Sequence, residues 1–113
     1  MPHDRLEQRS LAFHRAVAEK LRARPELLAV ALDNLDRWSN KGSRSQPYLD
    51  AWRTILAQPL DQILLLIADE TERMRDLRQS SPFAGVLDPK ERWHIYDTFE
   101  SGAHHPGSRD HRR

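Results

Sequence analysis

The chain has 113 residues, 38% of them apolar and 31% charged, enough for one small core and not for two. It contains no cysteine, which excludes a disulfide framework and a thiolate zinc site and fits a reducing compartment. The formal net charge is +1, with nine basic and six acidic groups in residues 1–45 and six and nine in residues 46–99. That is a mild dipole, not the one-sided basic excess of a nucleic-acid binder, so nucleic acid is not the expected partner. The longest apolar run, Ile63 to Ala68, is too short to span a bilayer. The opening MPHDRLEQRS lacks the basic-then-apolar pattern of a secretion signal. A soluble cytoplasmic protein with no membrane contact is expected.

In chain order, Asp4 and Glu7 form a capping-box pattern that predicts a helix from Arg5 to Arg24. Leu6, Phe13, Val17 and Leu21 share its inner stripe, and Leu11 falls off it. Pro25 suits the first turn of a second helix, reaching Trp38, with Leu28, Ala31, Leu32, Leu35 and Trp38 at helical spacing. Residues 39–46 are polar, contain Gly42 and precede Pro47, so they read as a loop. A short third helix from Pro47 to Ala57 gathers Tyr48, Trp52, Ile55 and Leu56.

Pro59 restarts the chain in a fourth helix, predicted over 59–78. Leu60, Ile63, Leu64 and Ile67 form its inner stripe, and its first half is apolar nearly all round, which places it at the centre of the core. In its second half Asp69, Glu70, Glu72 and Asp76 interleave with Arg73, Arg75 and Arg78. That pattern reads as a solvated face with neighbouring ion pairs, anchored by Met74 and Leu77. Residues 78–87 break the helical period, with a serine before Pro82 and a bend at Gly85. Asp88 and Glu91 then form a second capping box around Pro89 and open a last helix to Phe99, with Trp93, Tyr96 and Phe99 on one side. The tail, residues 100–113, has no apolar residue larger than Ala103 and is expected to be disordered. The expected architecture is all-α: a single small helical bundle of four to five helices over residues 1–99.

Catalytic templates are thin. Arg9 and His14 spell Arg-x4-His, a spacing that resembles the signature of HEPN-type helical ribonucleases, in which an arginine and a histidine converge on a scissile phosphate. The simpler reading of His14, beside Val17, is a hydrogen-bonded structural histidine. His94, Asp97 and the His104-His105 pair do not reproduce a metal-ligand spacing, and no glycine loop or nucleophile elbow is present. No catalytic residue, metal site or cofactor is expected. Arg5, Arg9, Arg15, Lys20, Arg22 and Arg24 are the sole basis for a DNA-binding reading, and they are spread around the first helix.

Residues 78–87 are the most individual stretch, because a ten-residue connection inside so small a domain normally has a reason. Phe83, Val86 and Leu87 must be buried, either by closing the core or by forming part of a docking patch with Trp93 and Tyr96. Four blocks carry a resemblance: RSLAFHRAVA from Arg9, PELL from Pro25, LDRW from Leu35 and LRQSSPFAGVL from Leu77. Together they resemble a family of small bacterial helical proteins similar to antitoxin components of type II toxin–antitoxin pairs. The resemblance covers residues 9–99, with its specific part in the RQSSPFAGVL block. It implies a protein-binding module that neutralises a partner toxin by direct contact. The chain shows no helix-turn-helix module of its own. The expected contact residues are Arg78, Ser81, Phe83, Val86, Trp93 and Tyr96, facing either a toxin or a second copy of the chain.

Overall fold

Prolines set the joints of this molecule. Pro25, Pro47, Pro59 and Pro89 each stand at or beside the start of a helical segment, where a missing N–H leaves no helical bond unmade. The computed structural model describes the backbone of residues 2–39 and 46–103 and the side chains of residues 5–39 and 46–99. The described residues contain no strand. They form α1 (Pro2–Ala23), a 3-10 turn (Pro25–Leu27), α2 (Leu28–Ser39), α3 (Gln46–Leu56), α4 (Leu60–Ile67), α5 (Glu72–Leu77), a second 3-10 turn (Arg78–Ser80) and α6 (Pro89–Ala103). Helix α1 packs against α4 and α6, and α2 packs against α3.

The all-helical architecture matches the expectation, and three details correct it. The predicted fourth helix is two helices, which raises the count to six among the described residues. Its break has a local cause: Thr71 is an N-cap whose hydroxyl accepts from the Met74 N–H at 3.3 Å, so a new helix begins inside the charged run. Helix α1 already runs from Pro2, so Asp4 lies inside the helix; its side chain lies outside the described residues. Helix α6 continues past Phe99 to Ala103, and residues 104–113 of the expected tail lie outside the described residues, as do residues 40–45 of the expected loop.

The inner stripe of α1 is also rotated from the expected one. Leu11, His14, Val17, Ala18 and Leu21 are buried, whereas Leu6 is 57% exposed. The rotation follows from what α1 meets. Its middle faces Phe83 and Ser81, so His14 takes a position that hydropathy alone gave to Phe13. Leu49, Trp52, Ile55 and Leu56 of α3, Ile63, Leu64 and Ile67 of α4, and Met74 and Leu77 of α5 complete the core.

Residues 78–87 close that core. Pro82, Phe83, Val86 and Leu87 are all buried, with Phe83 at 0% exposure. The Phe83 ring meets Trp52 edge to face at 5.4 Å and His14 at 5.8 Å, and His14 meets Phe13 at 5.1 Å. Such edge-to-face pairs add about 0.5–1.5 kcal/mol each beyond area burial. Gly85 takes φ +93°, and the Val86 N–H donates to the Phe83 carbonyl across it, the positive-φ bend that a type II turn requires.

A buried irregular strap must have its carbonyls paired. Asn34 of α2, itself 4% exposed, donates both amide hydrogens: to the Pro82 carbonyl at 2.8 Å and to the Ala84 carbonyl at 2.9 Å. Its own carbonyl accepts from Arg37. Asn34→Ala leaves the Pro82 carbonyl buried without a partner, and should lower the unfolding free energy by about 2 kcal/mol in urea titrations. The exposed Asp33→Ala should change it by no more than about 0.5 kcal/mol.

Candidate functional site

Helix α6 is too short to be stable alone and is held on α1 by a small set of polar contacts. The capping box forms as the sequence implies: the Asp88 N–H donates to Glu91 at 2.8 Å, and the Glu91 N–H donates to Asp88 at 2.8 Å. Glu91 also accepts from Lys20 Nζ at 2.7 and 2.9 Å, joining α6 to α1. The Lys20 ammonium, followed by the Asp88 N–H, holds the Glu91 carboxyl below its usual range. On the apolar side Ile95 packs against the core.

Beside these contacts lies an open groove of about 940 Å³ between α1 and α6, with Ala16, Lys20, Leu87, Trp93 and Ile95 among its lining residues. Trp93 is 66% exposed at the groove. A tryptophan this exposed on a packed helix is the residue type that dominates protein–protein contacts. Tyr96, half-buried, lies under the guanidinium of Arg9, with the cation 5.0 Å from the ring centroid.

The six expected contact residues therefore separate. Trp93 and Tyr96 reach the surface of α6. Phe83 and Val86 do not; they are core residues at 0% and 2% exposure. The docking reading of these two is corrected, because closing the core buries both. Arg78 is buried as well, at 6% exposure, and leaves the solvated face assigned to it. Its Nη1 donates to the Ile67 carbonyl at 3.2 Å and the Asp69 carbonyl at 2.7 Å, supplying donors where α4 ends. Ser81 is half-buried and turned inward to His14. The ion pairs near α5 also run between elements, Arg15 to Glu70 at 3.3 Å and Arg75 to Glu7 at 3.8 Å.

Arg9 and His14 do not converge. Arg9 stacks on Tyr96, whereas His14 is 2% exposed with both ring nitrogens engaged. Nδ1 lies 2.7 Å from the Ser10 carbonyl, which can only accept, so Nδ1 carries the proton. Nε2 then accepts from the Ser81 hydroxyl at 2.8 Å, and Ser81 Oγ accepts from the Phe83 N–H at 3.3 Å. Arg15, Lys20 and Arg22 of α1, and Arg24 just beyond its end, are each paired with a carboxylate.

Among the described residues no three His, Cys, Asp or Glu side chains gather as metal ligands, and no helix is long and apolar enough to cross a membrane. Comparison with family models, with curated proteins and with solved structures returns no match for this chain.

His14 is the hydrogen-bonded structural histidine that its place beside Val17 implies, whereas the structural roles of Asn34 and Arg78 are not among the expectations. Asn34 carries a visible signal, since it sits on the buried face of α2 with Ala31 and Leu35. Burial, with Arg78 nearby, pushes the His14 pKa from 6.5 down to about 4 against the opposing pull of the Ser10 carbonyl. The unfolded chain thus binds this proton first as pH falls. The stability His14 contributes is present above its unfolded pKa and is lost as pH falls toward about 4. Between about pH 7.5 and about pH 5 the loss should reach about 2 kcal/mol. Urea unfolding of the wild type and of His14→Gln checks this: their stability difference should narrow by about that amount at the lower pH.

Proposed function

We propose that this chain is a protein-binding module of the antitoxin kind, which neutralises a partner toxin by covering it. The observation that carries the reading is Trp93, two-thirds exposed at an apolar groove that no other element of the described chain fills. Aromatic anchors next to an open apolar hollow are the usual centre of a binding hot spot. The acidic and basic groups around them, Lys20, Glu91 and Lys90 among them, supply a polar rim. The resemblance of the Leu77–Leu87 block to antitoxin-type helical proteins supports a toxin as the partner. Because the large apolar residues of that block, Leu77, Phe83, Val86 and Leu87, are buried, the likeness speaks for a shared fold, and the groove is the part proposed to meet another protein. The reading places the pair in the cytoplasm.

The test is co-purification with the protein encoded by the adjacent gene, together with rescue of growth when that protein is expressed. Wild-type chain should bind and rescue. Trp93→Ala should keep its helical circular dichroism and thermal midpoint, because the side chain is largely exposed, while weakening association by about 30-fold, or about 2 kcal/mol. Binding without any loss in Trp93→Ala would move the contact away from the groove. Neither binding nor rescue by the wild type would sink the toxin reading.

A further inference from the structure

A second hollow, distinct from the groove, opens between the first turns of α1 and the end of α5. It has a volume of about 300 Å³ and is lined by Leu6, Glu7, Ser10, Arg75, Arg78 and Gln79. We propose that this cleft binds a carboxylate group through the guanidinium of Arg78.

Arg78 is 94% buried by its 6% exposure, yet none of its hydrogen bonds goes to a carboxylate. Nη1 spends both hydrogens on the Ile67 and Asp69 carbonyls. Among the described residues the N–H groups on Nε and Nη2 have no acceptor. Arg78 lines the cleft, so a ligand entering it can take these donors in place of water. The Nε–Nη2 edge is also the side-on fork whose spacing matches the two oxygens of a carboxylate.

The remaining lining fits the same chemistry. Arg75 is a second cation, held only loosely: its Nε is 3.8 Å from Glu7, and its Nη2 is 3.4 Å from the Glu70 carbonyl. Neither Ser10 Oγ nor the Gln79 amide is engaged by another described side chain, so both can hydrogen-bond a bound oxygen. The choice between anions rests on charge. Arg75 and Arg78 against Glu7 leave one net positive charge on the lining, which suits a monoanion.

The experiment follows the Arg78 Nε–H resonance of the full chain by nitrogen-15 NMR during titration with sodium acetate, with sodium chloride holding ionic strength constant. A saturable shift of that resonance is expected, with a millimolar midpoint. Arg75→Gln is a surface change that leaves the fold intact and should weaken binding by about fivefold. An N-acetylated tripeptide of alanine with a free C-terminal carboxylate is compared with its amide. Only the acid should bind. Binding tighter than acetate identifies a chain terminus as the source, and equal binding identifies a free small carboxylate. A non-saturable shift, the same shift with chloride, tighter binding of inorganic phosphate, or no change in Arg75→Gln would each overturn the proposal. The outcome is independent of the toxin test, which reads the groove at Trp93.

Discussion

The structure depends on pairing the polar groups of a largely irregular strap whose large apolar side chains must be buried. Residues 78–87 bring Phe83, Val86 and Leu87 into the core, and part of their backbone, the Pro82 carbonyl among it, is buried with them. Each unpaired buried carbonyl or N–H would cost roughly 1–3 kcal/mol, a large share of what so small a domain can spare. Side chains from separate helices meet that demand. Trp52 of α3 donates at 3.0 Å to the carbonyl of Leu77, the last residue of α5 before the strap, Asn34 of α2 takes two strap carbonyls, and His14 of α1 orients Ser81 toward the Phe83 N–H. Arg78 works in the opposite direction, from the strap into the end of α4. The core is therefore apolar in volume and polar in its fastenings, and the fastenings set the register of the helices.

This explains why part of the fold was legible in the sequence and part was not. Prolines and the Asp88–Glu91 box act through their nearest neighbours, so their consequences can be read locally, and the joints and the start of α6 appear where expected. Met74 and Leu77 likewise anchor the charged stretch as their spacing implies. The rotation of α1 is different in kind. Leu11 is buried and Leu6 exposed because Ser81, 67 positions beyond His14, supplies a partner that makes a buried histidine acceptable. Hydropathy treats that histidine as polar and turns the stripe the wrong way. Arg78 is hidden for the same reason: a guanidinium looks like surface until two carbonyls at a helix end are brought to it.

The candidate site divides along the same line. Trp93 and Tyr96 were visible as surplus aromatic content on a short helix, since one helix face against one neighbour does not need that much ring area. Phe83 and Val86 belong to the same stretch of sequence and carry the same apolar signal, and composition cannot tell a strap that closes a core from one that faces a partner. The distinction appears only when the carbonyls of Pro82 and Ala84 are followed to Asn34, which ties the strap inward and leaves no face of Phe83 outside.

Glu91 joins these two halves. One carboxylate caps the N-terminus of α6 through the Asp88 N–H and also receives Lys20 of α1. Helix α6 consequently starts at a fixed point on α1, and Trp93, two residues further on, projects at the groove instead of folding into it. Leu87, the last buried residue of the strap, lies just before the cap and lines the same groove. The strap that closes the core and the helix that presents the surface therefore share one joint. The His14–Ser81 contact and the groove thus lie at the two ends of one short run of residues, from Ser81 through Leu87 to the Asp88–Glu91 cap.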